Sequence, residues 1–304
     1  TCLVCLVVLA LVLPSRRSQQ DWHDGRLDLE LLDLRSRQSP HHGYSLTMER
    51  YLTVDGHQVY SYEWDNNGEA VVLLHGGLSQ TAHWADQIVP SLDGYHVYAY
   101  DRSSHGLTSY REESINFKYQ VREAIAYLET VVKEPAHIVG WSDGGIIGLF
   151  LAIQRPDLVK SLVSIASNFH YTGTVPEFEM NPISDEDRAE YAEYSVDTPE
   201  TLDRIHAHFR HMWKSEPDIP LSDIAKIQCP VLVMAGDDDV IQHEHTLELF
   251  RTLPLGQLAI VPGTSHILPK EKPGLVNLLI TEFLEDLSYP ITKMPIKRTN
   301  PRTE

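Results

Sequence analysis

The sequence predicts an α/β fold: a mostly parallel, eight-stranded sheet with helices on both faces and a small helical cap. Three observations carry that expectation. Beyond residue 70, short apolar runs of strand length alternate with longer segments of helical period, as repeated strand-to-helix crossovers require. One early pair of strand-like runs is joined by Asp55-Gly56 alone, a link too short for anything but an antiparallel hairpin. Residues 172–222 then interrupt the alternation with helical periodicity only, so they read as an insertion into the sheet's sequence of strands.

The elements follow in order. Tyr51–Val54 and His57–Trp64 are the hairpin strands, because Asp-Gly reaches positive φ at little cost. Val71–Leu74 is apolar throughout, which suits a strand buried on both faces. A helix is expected over Thr81–Ser91, a strand over Tyr95–Tyr100 and a long helix over Asn116–Val132. His137–Gly140 is strand, Gly144–Gln154 helix and Ser161–Ala166 strand. The insertion has helical segments at Ser184–Tyr194 and Thr198–Lys214. Two units complete the sheet: strand Val231–Ala235 with helix His245–Leu253, and strand Leu258–Val261 with helix Gly274–Leu287. The core is thus expected over 48–171 and 223–288, the cap over 172–222 and a C-terminal tail over 289–304. Such a cap would cover the C-terminal edge of the sheet, where open α/β sheets bind ligands.

Composition narrows the function before any motif does. The 304-residue chain is 42% hydrophobic, enough for one large core. With 25 Lys and Arg against 43 Asp and Glu, its formal net charge is −18, which disfavours nucleic acid as a partner. Three cysteines, Cys2, Cys5 and Cys229, supply neither a disulfide framework nor a cysteine-based zinc site. Residues 2–13 are apolar but too short for a comfortable membrane span. They read either as a signal remnant, implying secretion, or as sequence upstream of a start at Met48, implying a cytoplasmic protein. Residues 1–47 are accordingly set apart from the fold as an N-terminal extension.

The signal that carries chemistry is Gly140-Trp141-Ser142-Asp143-Gly144-Gly145, between an expected strand and an expected helix. In that setting Gly-x-Ser-x-Gly makes a turn so tight that small residues must flank the serine, whose hydroxyl stands above the sheet edge. A serine hydroxyl needs a base, and the base needs a carboxylate to orient it. Both follow in the order this architecture requires. Strand Val231–Ala235 runs into Gly236-Asp237-Asp238-Asp239, and the next strand runs into Pro262-Gly263-Thr264-Ser265-His266. Ser142 is therefore the candidate nucleophile and His266 the candidate base. Spacing alone leaves Asp237, Asp238 and Asp239 open as the acid.

From Val71 to Leu287 the chain resembles the α/β-hydrolase superfamily. The elbow is similar to that of valacyclovir-hydrolase-like and related bacterial serine esterases. The resemblance implies Asp239 as the acid, three positions after the glycine that ends its strand. It implies that His75-Gly76-Gly77 is an oxyanion loop, in which backbone NH groups of Gly77 (or Leu78) and Asp143 stabilise a tetrahedral intermediate by about 3 kcal/mol each. It gives Asp101–Thr108 the place of a scaffold loop, with Ser104 where glycine is usual. It also suggests a substrate amino group as the partner of the Asp143 carboxylate, against the simpler reading of a carboxylate favoured at a helix N-terminus.

Leu78, Trp141 and Trp213 are the candidate pocket residues, while Trp84, Phe178, Phe209 and Met212 either line an acyl or alcohol pocket or pack the cap. His206, His208 and His211 lack the spacing of a metal site, so neither metal nor cofactor is expected. The expected function is a serine hydrolase that cleaves a carboxylic ester, or a related lactone or thioester, through an acyl-enzyme on a small-molecule substrate. Carbon–carbon bond hydrolysis, cofactor-free perhydrolysis and a non-catalytic ligand receptor on the same fold are the alternatives. The sequence leaves the oligomeric state open.

Overall fold

Period-two alternation decides which face of the sheet each strand residue joins. In β3 (Ala70–Leu74) every residue is buried; Ala70, Val72 and Leu74 join one apolar cluster, Val71 and Leu73 the other. The computed structural model describes residues 48–176 and 181–296. The N-terminal extension, Phe178 and the end of the C-terminal tail lie outside the described residues.

The other strands are β1 (Met48–Val54), β2 (His57–Trp64), β4 (His96–Asp101), β5 (Ala136–Trp141), β6 (Val159–Ile165), β7 (Val231–Asp238) and β8 (Gly256–Ser265). They form one eight-stranded sheet in the order β1-β2-β4-β3-β5-β6-β7-β8. β2 pairs antiparallel with both β1 and β4, and every other pairing is parallel. The α/β architecture with a hairpin at one edge is therefore as the sequence predicts.

The helices are α1 (Ala85–Ile88), α2 (Phe117–Tyr127), α3 (Asp143–Gln154), α4 (Asp185–Tyr194), α5 (Thr201–Met212), α6 (Leu221–Ile224), α7 (His243–Thr252), α8 (Leu268–Glu271) and α9 (Pro273–Glu285). α2, α3 and α7 contribute to the cluster on one face of the sheet, α1 and α9 to the cluster on the other. The single helix expected over Thr81–Ser91 is instead three short pieces, with 3-10 turns at Thr81–His83 and Val89–Ser91 on either side of α1. Trp84 leaves helical geometry, at φ −146° and ψ −15°, and its side chain is buried against the sheet. Pro90 has no NH to donate, which ends the α-helical pattern before it.

Between β6 and β7 the described chain carries α4, α5 and α6 and no strand. A capping box of Ser184 and Asp187 starts α4, which buries none of its residues. α5 is amphipathic and buries Leu202, Ile205, Phe209 and Met212. Trp84, Phe209 and Met212 are thus packing residues. Among the described residues no helix is long and apolar enough to cross a membrane.

Candidate active site

β5 ends at Trp141 and α3 begins at Asp143, so one residue makes the whole turn. That residue, Ser142, sits at φ 55° and ψ −121°, a region that costs a non-glycine residue on the order of 1–3 kcal/mol. Close approach forces the flanking glycines. A Cβ on Gly140 would lie 2.3 Å from the carbonyl oxygen of Gly144, and one on Gly144 would lie 1.9 Å from that of Leu74. The Ser142 amide donates to the Ile165 carbonyl at 2.8 Å, tying the turn to the neighbouring strand.

Ser142 Oγ lies 2.9 Å from His266 Nε2, and His266 Nδ1 lies 2.8 Å from Asp239 Oδ1. Facing a carboxylate, Nδ1 carries the proton, which leaves Nε2 to accept from the serine hydroxyl. The Asp239 side chain is wholly buried, and its Oδ1 also accepts from the Ile241 amide at 3.0 Å. Asp237 and Asp238 are exposed. Asp237 accepts from the Thr264 amide at 3.1 Å, which holds its carboxyl below the usual range and braces the strand leading to His266. Of the three carboxylates the spacing left open, the structure brings Asp239 to His266. The Trp141 indole donates to the His266 carbonyl at 2.9 Å, so the residue beside the serine fixes the loop that carries the imidazole.

The loop after β3 closes on the same point. A Cβ on Gly76 would fall 3.2 Å from Ser142 Cβ, and one on Gly77 would fall 2.5 Å from both Asp143 Oδ2 and the Trp213 ring. Gly77 and Asp143 therefore meet beside the serine. As the first residue of α3, Asp143 has an NH with no acceptor in its own helix. Leu78 follows in the left-handed region, at φ 53°.

Sequence reading missed the residue that holds this loop. Arg102, assigned only to a scaffold segment, is fully buried; its Nη2 donates to the carbonyls of His75 (3.0 Å) and Gly76 (2.8 Å), and its Nη1 donates to Gln120 Oε1. Its backbone amide donates to His75 Nε2 at 3.0 Å, and His75 Nδ1 donates to the Gly76 carbonyl at 2.8 Å. Burial, reinforced by the Arg102 charge, holds the His75 imidazole well below its ordinary pKa, so it is neutral and fixed in one tautomer. The available signal was an arginine directly after an apolar strand, next to an aspartate whose oxygens go elsewhere: Asp101 accepts from the Thr81 and Leu107 amides and the Tyr62 hydroxyl. Ser104 adopts φ 69°, the conformation that a glycine preference there implies.

Asp143 is buried, and its Oδ1 accepts from the Trp213 indole at 3.1 Å. Burial pushes its carboxyl up to about 6, against the opposing pull of Arg102 and the indole. The Ser142 hydroxyl faces a cavity of about 730 Å³ that Gly77, Leu78, Trp141, Asp143 and Trp213 all line. A second compartment of about 360 Å³ shares Leu78, Ser79, His83 and Trp213 with it and takes Tyr191, Leu202 and Ile205 from the insertion. His206 meets the Asn181 carbonyl at 2.9 Å and His208 lies 3.5 Å from the Tyr110 hydroxyl. Among the described residues, no group of His, Cys, Asp and Glu is arranged to hold a metal ion.

Comparison with known proteins agrees with this architecture. An uncharacterized hydrolase, YugF, from Bacillus subtilis is 28% identical over 268 residues, covering 78% of this chain and 97% of that protein. The (E)-2-((N-methylformamido)methylene)succinate hydrolase of Acinetobacter baylyi is 23% identical over 265 residues, covering 78% of this chain and 98% of that one. The crystal structure of CarC, a serine hydrolase involved in carbazole degradation, shares the fold at a TM-score of 0.65 and 22% identity, covering 80% of this chain and 99% of that one. Residues 71–277 match the model of the alpha/beta hydrolase family, and the chain belongs to that family.

Proposed function

We propose that the protein is a serine hydrolase that cleaves a carboxylic ester, or a related lactone or thioester, through an acyl-enzyme. The observation that carries this reading is the continuous relay from Ser142 Oγ through His266 to a buried Asp239, with contacts of 2.9 and 2.8 Å. In the first half-reaction Ser142 Oγ attacks the acyl carbon while His266 Nε2 takes its proton; Asp239 holds the imidazolium that forms. The carbonyl oxygen becomes an oxyanion, which the backbone NH groups of Gly77 and Asp143 receive. Collapse breaks the bond to the alcohol, and His266 returns the proton to that leaving group. Water then attacks the acyl-enzyme with His266 as base, releasing the acid and restoring Ser142. Presence of all three side chains in one relay favours an enzyme over a receptor. Leu78, Trp141 and Trp213 bound the space for the acyl or alcohol group.

Hydrolysis of a p-nitrophenyl ester series from acetate to decanoate tests this. Wild type is expected to turn over short or medium chains, and Ser142→Ala and His266→Ala each to lose about 10⁶-fold in kcat. A protein that hydrolyses none of the series and is not labelled at Ser142 by a fluorophosphonate probe would be a receptor instead. Labelling without turnover would keep the nucleophile and move the substrate to the carbon–carbon or perhydrolase alternatives.

A further inference from the structure

The cavity in front of Ser142 carries a charge opposite to that of the chain. Arg210, Lys214 and Lys270 all line it, in a protein whose formal net charge is −18. Arg210 and Lys214 stand four residues apart, at the end of α5 and just beyond it, a spacing that puts them on one side of the helix. Lys270 comes from α8, after His266 in the chain, so the three cations line the cavity from two separate parts of the fold. Each is exposed to solvent at the cavity.

Some cations elsewhere on this acidic surface are drawn into ion pairs, as Arg122 is with Asp55, Arg155 with Glu129 and Asp157, Lys160 with Glu69 and Arg188 with Asp203. Among the described residues no such pair includes Arg210, Lys214 or Lys270. The nearby acids hydrogen-bond to other groups, and two of them, Glu216 and Asp143, line the same cavity. Glu216 accepts from the Phe117 amide at 2.8 Å, Glu190 pairs with His83 at 2.5 Å, and Asp143 is buried on the Trp213 indole. Three cations in no ion pair outnumber the two acids of the same lining, Glu216 and Asp143, so a concave opening with net positive charge concentrates anions against the repulsion of the rest of the surface.

We propose that the substrate bears a carboxylate besides its scissile acyl group, and that Arg210, Lys214 and Lys270 bind that carboxylate at the mouth of the cavity. This rests on the ester-hydrolase reading for the identity of the reacting group, and deepens it by naming the substrate class. The apolar part of such a substrate has room in the second compartment, behind Leu78 and Trp213.

The test is binding rather than turnover, using the full chain with Ser142→Ala so that nothing is consumed. Titration calorimetry compares monomethyl glutarate, a monoanion, with dimethyl glutarate, its neutral counterpart. At 20 mM NaCl the monoanion is expected to bind at least tenfold more tightly, with the preference shrinking in 500 mM NaCl as screening grows. Adding Arg210→Gln, Lys214→Gln and Lys270→Gln together is expected to bring the preference below twofold, and Lys270→Gln alone to lower it partway. Equal binding of the two esters overturns the proposal, as does a preference that survives the triple substitution. Wild-type turnover of the same pair judges the ester reading separately: failure to hydrolyse either strikes that reading without touching the binding result.

Discussion

Around Ser142 the backbone and side chains are packed with little slack. Gly140 and Gly144 press on neighbouring backbone, Gly77 is wedged between Asp143 and Trp213, and Arg102 clamps two carbonyls without reaching solvent. The helical insertion is assembled differently. α4 buries none of its residues and is held by its capping box and by the exposed pair of Arg188 and Asp203, while α5 contributes an apolar stripe and, at its end, unpaired cations. Chemistry in this protein is held by steric necessity, which tolerates almost no change. On the carboxylate-binding proposal, selectivity would rest on solvent-exposed side chains that can be exchanged at little cost in stability.

The sharpest way to break that comparison exchanges one methyl group in each region. Gly144→Ala puts a Cβ 1.9 Å from the Leu74 carbonyl oxygen, a clash with backbone that only movement of β3 or α3 relieves. Its stability is expected to fall by more than about 4 kcal/mol in urea denaturation, or the variant not to fold at all. Ala192→Gly removes a methyl from the exposed side of α4 and is expected to cost about 1 kcal/mol, the helix-propensity difference alone. Comparable losses in the two variants would erase the distinction between the regions.

The same contrast explains what the sequence made legible. The sheet, the elbow and the order of serine, acid and histidine follow from local patterns: strand and helix periods, glycines at fixed offsets, and polar residues at strand ends. The choice among Asp237, Asp238 and Asp239 does not, because it depends on a register shift between β7 and β8 at Gly236 to Asp238, a property of two paired strands. The helix over Thr81–Ser91 failed for a related reason, since burial of Trp84 overrides local helical preference. Arg102 was hidden because the partners that tie it to the site are carbonyls of another strand's loop, and a carbonyl leaves no mark in a residue pattern.

Arg102 also offers the next largest effect. Arg102→Met keeps apolar bulk but leaves the His75 carbonyl without its Arg102 donor and the Gly76 carbonyl with the His75 imidazole as its side-chain donor. Two consequences are expected: a stability loss of about 3 kcal/mol from unpaired buried groups, and a drop in kcat of about 100-fold with KM changed less than threefold. The kcat–KM split is the informative readout, because a merely structural arginine would reduce the amount of folded enzyme without changing its turnover per active site, counted by fluorophosphonate labelling. An unchanged kcat per labelled site would remove Arg102 from the positioning of the proposed oxyanion loop.

The finest probe is the proton on Asp143. Its carboxyl is pushed up to about 6 in the fold against 3.8 for the free side chain, so the folded state holds the proton more tightly than the unfolded chain does. With the pKa raised, ionisation opposes folding: the penalty grows as pH rises from about 4 to about 6 and is complete above that, at about 3 kcal/mol for two pKa units. Asp143→Asn keeps an oxygen for the Trp213 indole and has nothing to ionise. Relative to wild type it is expected to be more stable by up to about 3 kcal/mol at pH 7.5, with the advantage shrinking to near zero at pH 4 in paired urea titrations. A difference that stays flat over this range would mean that Arg102 already compensates the buried charge. The elbow would then hold a buried charge at no cost, and its rigidity would come from steric fit alone. A difference that closes with acid would mean that the elbow also stores an electrostatic penalty beside the nucleophile, a cost the exposed insertion has no need to carry.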